Sequence, residues 1–269
     1  MSVDNMKTSS FAFCLAATAL LAGCATSPDY DVKYLSAMSW MQVAPEYKAL
    51  CTQTYNSALE HVKAASKRPS KKTKVVVLDL DETVFLNLRG QTAIYREIVE
   101  HGGDFNAIWL NWEAKGMPEA VPGSVEFLQA LKPLGVKPFF VTSRTYPTYE
   151  HTVKILESFG VTDWEGIHCK TGSSDKTERF KAIERDYEVL AYIGDNLNDL
   201  PVGSMTKEDR EAFVLANAGK FGVKFFTLPN PFYGNWISDV DPKFYALDEN
   251  GQIRSFRASL PAADKSDIQ

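Results

Sequence analysis

Histidine is scarce in this chain, four among 269 residues, and the four are scattered. No Cys/His group stands at the spacings that hold zinc, which excludes a zinc centre as the organising chemistry. A basic excess is lacking too. Lysine and arginine number 29 against 34 aspartates and glutamates, the signs are interspersed, and the net charge is −5. A polymeric nucleic-acid partner calls for a basic stripe, and there is none. The apolar stretch from Phe11 to Ala22 holds about 12 residues, where a bilayer span takes about 20. No internal repeat is seen. What is present is ordinary globular composition, 45% hydrophobic and 23% charged, which argues against disorder and fibrous repeats. The length suits one large domain or two small ones.

The short apolar stretch reads as the core of a secretory signal. Leu21-Ala22-Gly23-Cys24 follows it and resembles a bacterial lipobox. Cleavage before Cys24 and lipidation of its thiol are expected, with a signal peptide over 1–23 and a tether over 24–34. Lys7 is opposed by Asp4 ahead of the stretch, and a start at Met6 gives a more ordinary signal. Ala25 after the cysteine implies, by resemblance, sorting to the outer membrane, where acyl chains anchor a protein without a spanning helix. The other reading is a plain secretory signal cut elsewhere. Cys14 leaves with the signal. Cys51 and Cys169 then face an oxidising compartment, either as a disulfide or as two buried thiols.

Helical spacing runs over about 35–68, with Trp40, Met41, Tyr47, Leu50 and Leu59 as the candidate face. A basic loop leads into the apolar run Val75 to Leu78. Further apolar strands end near Thr142 and near Gly194, and "VKFFTLPNP" reads as another. Helix-like segments at 124–134, 149–159, 175–184 and 208–218 separate them. Such alternation predicts an α/β fold, a parallel sheet flanked by helices. One domain is expected over 35–262, with a tail at 263–269. The segment at about 87–121 shows no sheet strand and holds Phe105, Trp109 and Trp112. It is expected to form a small, mostly helical cap over the site, with the 35–68 helices as an N-terminal extension.

In parallel sheets, ligands bind beyond the carboxyl ends of the strands. There stand Asp79 and Asp81, then Thr142-Ser143-Arg144, then Asp195 and Asp199. Carboxylates so close repel and raise one another's pKa. A hard dication offsets this, and Mg2+ takes oxygen ligands from one or two carboxylates while keeping several waters. Asp79 and Asp195 are the best side-chain ligands, and Asp81 can offer its backbone carbonyl. One carboxylate can attack phosphorus and form an aspartyl phosphate. A second, two residues on, can protonate the leaving alkoxide and then activate water. The Thr142 hydroxyl and Lys176, at the start of the "DKTERF" helix, supply a donor and a positive charge to the phosphoryl oxygens.

"DLDET", "VTSR", Lys176 and "GDNLND", in that order on strand ends, resemble the four motifs of the haloacid dehalogenase superfamily. With the lipobox, "EYKALCTQTYN", "WEAKGMPEAVPGSVEFL" and "KFGVKFFTLPNPFYGNW", the chain is similar to the bacterial lipoprotein class C acid phosphatases. These include outer-membrane lipoprotein 5′-nucleotidases, and the likeness spans about residues 35–260. The resemblance implies Asp79 as nucleophile, Asp81 as general acid/base and Thr142 and Lys176 as phosphate-binding residues. Asp195 would complete the magnesium site, with Asp199 touching the metal or standing just behind it. The implied substrate is a nucleotide or similar small phosphate ester, and a homodimer is allowed. Phe85-Leu86-Asn87 departs from the family's frequent Leu-Asp-Asn. Ser143 stands where Asn is common, among the substrate-binding candidates.

Several residues keep two readings. Thr142 can merely cap the next helix, Asp199 can be only an N-cap, and Lys176 can be surface charge. Arg144 either pairs with phosphate or locks the loop to a carboxylate. Trp109 and Trp112 either stack on a nucleoside or pack the interior. Tyr233 is the candidate base-stacking aromatic. A signalling receiver domain also combines Asp, Thr and Lys around magnesium, but its acidic pair and phosphorylated Asp lie on different strands. A non-catalytic surface lipoprotein that kept the fold is the alternative function.

Overall fold

The computed structural model describes residues 28–203 and 206–262. In chain order the elements are α1 (Pro28–Val43), α2 (Pro45–Ser66), β1 (Lys74–Leu78), β2 (Phe85–Leu86), α3 (Leu88–His101), α4 (Phe105–Lys115), β3 (Glu119–Ala120), α5 (Ser124–Leu131) and β4 (Lys137–Thr145). They continue with α6 (Tyr149–Ser158), β5 (Gly166–Lys170), α7 (Thr177–Asp186), β6 (Glu188–Gly194), α8 (Lys207–Ala216), β7 (Phe225–Thr227), α9 (Trp236–Val240) and α10 (Glu249–Ser259).

Five strands form one sheet in the order β5-β4-β1-β6-β7, every neighbouring pair parallel. Side chains alternate across a strand, so β1 feeds two interiors. Val76 and Leu78 pack with Tyr47, Tyr55 and Val62 of α2 and Phe127 of α5. Val75 and Val77 pack with Phe180 and Ile183 of α7 and Tyr192 of β6. Both faces are therefore covered, which is what permits an apolar parallel strand. From β1 the chain lays down β4 and β5 on one side, then returns to place β6 and β7 on the other. This reversal opens a crevice at the carboxyl ends of β1 and β6.

The cap is α3 and α4. Gly102 ends α3 at φ 66°, a left-handed stop that glycine takes without strain. Asp104 starts α4 by accepting the Ala107 N–H at 2.7 Å. At the foot of the cap β2 and β3 pair antiparallel, a ribbon too short for its pattern to show in the sequence.

Two expectations are corrected and one open reading is decided. Helix α1 begins at Pro28, inside the stretch read as tether, because proline needs no N–H partner in a first turn. Strand β4 runs on to Thr145 rather than ending near Thr142. Cys51 and Cys169 are free, buried thiols. Cys51 lies on α2, which packs on β6 and β7, whereas Cys169 lies on β5 at the opposite sheet edge. Cys24, the signal 1–23 and the tail 263–269 lie outside the described residues. No described helix is long and apolar enough to cross a membrane.

Candidate active site

The segment after β1 is tightly folded. The Asp79 N–H makes a last sheet bond to the Ile193 carbonyl, 3.0 Å. The Leu80 carbonyl then collects the N–H groups of Thr83, Val84 and Phe85 at 3.2, 2.7 and 2.8 Å. Glu82 is held at φ 54°, a left-handed conformation uncommon outside glycine. Its buried carboxylate secures it, accepting from the Asn87 N–H at 2.9 Å, the Asn87 amide at 3.3 Å and the Tyr233 hydroxyl. Burial, with Asp81 and Asp195 nearby, pushes Glu82 well above the usual carboxylate range.

Asp79, Asp195 and Asp199 place carboxylate oxygens within 4.8 Å of one another. Lys176, the residue before α7, is buried among them and donates to Asp79 and, at 2.6 Å, to Asp199 Oδ1. Asp199 Oδ2 accepts the Asn196 N–H at 2.9 Å. Asp195 accepts from the Asn230 amide at 2.9 Å and the Thr83 hydroxyl at 3.4 Å. A Cβ at Gly194 would fall on the Asp199 side chain, so glycine here makes room for that carboxylate. Burial drives Asp79 up to about 7 against the pull of Lys176. Asp195 is raised well above its ordinary value by burial and by Asp199 and Asp79. Lys176 is lowered by burial, but the two carboxylates outweigh this and raise it. Three acids against one cation leave negative charge in a poorly hydrated place. The donors are all oxygen, which fits a hard divalent metal. Asp199 gives one oxygen to the Lys176 ammonium and the other to a backbone N–H, while Asp195 gives its two to the neutral Asn230 amide and Thr83 hydroxyl.

Asp81 sits apart from that cluster. Its Oδ1 accepts from Arg144 Nε at 3.0 Å, Arg144 Nη2 at 2.9 Å and Asn87 Nδ2 at 2.8 Å. Arg144 is buried, with its guanidinium 5.0 Å from the Phe85 ring centre. Of its two readings, the structure favours the lock on a carboxylate. Thr142 is fully buried and its hydroxyl accepts the Arg144 N–H at 3.1 Å, while Ser143 is exposed on the cavity wall. Thr142 does not cap α6, whose preceding residue is Thr148.

The cavity over these groups measures about 720 Å³, and its aromatic lining includes Tyr34, Phe105, Trp109 and Tyr233. Trp109 lies parallel to Phe105, centroids 6.5 Å apart. Trp112 does not line it and instead donates to Asn87 Oδ1 at 2.9 Å. Sequence reasoning missed Glu82, Asn230 and Glu113 as contributors and saw Asn87 only within a departure from the family pattern. Glu113 is buried on α4 and accepts from Thr145 and Thr148. The acid after the Asp79–Asp81 pair was the one usable signal, for Glu82.

Residues 2–236 match the family model of the HAD superfamily, subfamily IIIB (Acid phosphatase). The chain belongs to that family. The acid phosphatase superposes on the class C acid phosphatase from Bacillus anthracis with a TM-score of 0.79 and 29% identity, covering 87% of this chain and 99% of that one. For the tungstate-bound form of that enzyme the figures are 0.78 and 30%, over 86% and 98%. It is 27% identical over 213 residues to Acid phosphatase 1 of Solanum lycopersicum, 76% of this chain and 73% of the relative. Phosphoric monoester hydrolysis is therefore its activity, and the parallel five-stranded sheet is that of the class C acid phosphatases.

Proposed function

We propose that this acid phosphatase is a magnesium-dependent phosphomonoesterase that dephosphorylates nucleotides or similar small phosphate esters through an aspartyl phosphate on Asp79. The observation that carries the reading is the group of Asp79, Asp195 and Asp199 around buried Lys176 at the crevice mouth. Asp79 attacks phosphorus, the ester P–O bond breaks, and Asp81 gives its proton to the departing oxygen. Asp81, now a carboxylate, takes a proton from water. The water oxygen bonds phosphorus and the P–O bond to Asp79 breaks, restoring both acids. Lys176 sets fixed positive charge beside the nucleophile. The Thr142 hydroxyl accepts from Arg144, which leaves its own proton to donate to a phosphoryl oxygen. Magnesium, held by Asp79 and Asp195 with the Asp81 carbonyl, and with Asp199 steadying Lys176 behind, would add charge to offset that of the phosphoryl group.

A cavity of about 720 Å³ exceeds the needs of inorganic phosphate, and pockets of about 300–1,000 Å³ suit whole small molecules. Its aromatic lining suits a nucleoside. The Tyr233 hydroxyl is tied to Glu82, which fixes the ring as a wall for stacking, beside Ser143 on the substrate side. The protein is read as anchored in the outer membrane through a lipidated Cys24, and removing phosphate from a charged nucleotide outside the cytoplasm would yield a transportable nucleoside.

A fragment from Ser27 onward, assayed on a panel of phosphate esters with magnesium and with a chelator, tests the enzymatic reading. Turnover should need the metal, favour nucleoside monophosphates, and vanish in Asp79→Asn. Full activity in that variant refutes the aspartyl-phosphate route, and no activity on any ester favours the non-catalytic lipoprotein. Mass spectrometry of the mature N-terminus should find acyl chains on Cys24, lost in Cys24→Ser.

A further inference from the structure

We infer that Arg144, Asn87 and Trp112 form a clamp that divides the labour of the two Asp81 oxygens, Oδ1 being held and Oδ2 carrying the proton. The inference rests on the reading of Asp81 as proton carrier given above. Oδ1 accepts three donors at 2.8–3.0 Å, two from Arg144 and one from Asn87. Its lone pairs are then committed, and a guanidinium does not give up a proton at working pH. Oδ2 has only the longer contact to Arg144 Nε, 3.2 Å. As the ester bond breaks, the electron pair goes to the leaving oxygen, which takes the hydrogen of Oδ2. In the second half-reaction Oδ2 takes a proton from the water that attacks phosphorus.

Each part of the clamp is fixed by the next. The indole N–H of Trp112 donates to Asn87 Oδ1 at 2.9 Å, with Arg144 Nη2 at 3.5 Å. Indole has no acceptor, so a flipped Asn87 amide would set donor against donor. That contact turns Nδ2 toward Asp81. A Cβ at Gly90 or at Gly116 would strike the Trp112 ring, so the indole occupies a slot shaped by two glycines. Arg144 Nη1 donates to the Glu113 carbonyl at 3.4 Å, and the Glu113 side chain bonds Thr145 and Thr148. Every guanidinium nitrogen is thus engaged, and the bonds that seat α4 on the core are the ones that orient Asp81. None of these three residues reacts; they position one that does.

The test compares kcat/KM, which reads the first phosphoryl transfer, on two substrates. p-Nitrophenolate leaves without a proton, whereas the alkoxide of glycerol 2-phosphate needs one. Asp81→Asn should fall steeply on the alkyl ester alone. Arg144→Lys keeps the charge but not the fork and should lose roughly 100-fold on the alkyl ester, within the range of general acid catalysis, and under about five-fold on the aryl ester. Trp112→Phe still fills the slot and should lose about ten-fold on the alkyl ester against under about two-fold on the aryl; it decides the matter if Arg144→Lys does not fold. Equal losses on both esters, or none, while Asp81→Asn remains selective, overturn the clamp and leave the proton-carrier reading standing. An unselective Asp81→Asn overturns that reading, and the clamp with it.

Discussion

Gly194→Ala adds one methyl group and should cost the site its order. Gly194 has no left-handed φ, so nothing in its backbone demands glycine; only the space does. The new Cβ would land on the Asp199 side chain, and Asp199 cannot withdraw without breaking two bonds. One is the 2.6 Å contact with Lys176, between charged groups and worth about 1.5–3 kcal/mol. The other is the 2.9 Å bond from the Asn196 N–H, a cap worth about 0.5–2 kcal/mol. The loss totals about 2–5 kcal/mol, which for a chain of this size lowers Tm by roughly 4–20 °C. Activity should fall more than stability alone predicts. Lys176 loses one of two anchors beside Asp79, and removing one preorganised charge contact costs about 100-fold or more in kcat. Differential scanning calorimetry and steady-state kinetics on a folded sample measure both. A variant with unchanged Tm and kcat/KM within two-fold of the parent refutes the packing argument.

Two further outcomes follow from burial. Asp79 is raised to about 7 from an ordinary 3.8, mainly by burial, and Asp195 and Glu82 are raised as well, so the folded metal-free protein holds protons that the unfolded chain has released. The Asp79 contribution is complete below about pH 4 and is lost as pH rises through about 7, and Asp195 and Glu82 act in the same direction; with a chelator, Tm should be lower at pH 8 than at pH 5, and magnesium should restore more at pH 8, whereas a Tm that climbs over that interval contradicts it. In a fragment lacking residues 1–26, Cys51 and Cys169 should resist a thiol reagent while folded and yield two thiols on unfolding without reductant; no thiols after unfolding would mean they are bridged.

Strand β1 was legible because four apolar residues run straight into Asp79, a pattern that only a covered strand meeting a polar site produces. Asp195 and Lys176 were legible for a similar reason, each standing where an apolar run or a helix begins or ends. The β2–β3 ribbon was not, because two residues carry no period. The bond from Trp112 to Asn87 joins residues far apart in sequence, and an indole at helical spacing reads equally well as interior packing. Arg144 carried two readings because a charge at a strand end does not say which neighbour it meets. Glu82 hid in plain view: its acid reads as solvated, yet it is buried and holds a loop residue from the far end of the chain, Tyr233. That contact gives Tyr233 a second partner besides any substrate, which no local pattern encodes.

Helix α2 carries a consequence for how far the protein can be trimmed. Tyr47, Cys51, Tyr55 and Val62 are no more than 2% exposed, and the Tyr55 hydroxyl donates to the Thr83 carbonyl at 2.6 Å, two residues beyond Asp81. Cutting the polypeptide back to Lys74 would keep every charged motif and still uncover the part of the sheet that α2 buries, releasing the turn that follows Asp79 and Asp81. The smallest working piece therefore starts upstream of all the recognisable chemistry, at a boundary drawn by one phenol group.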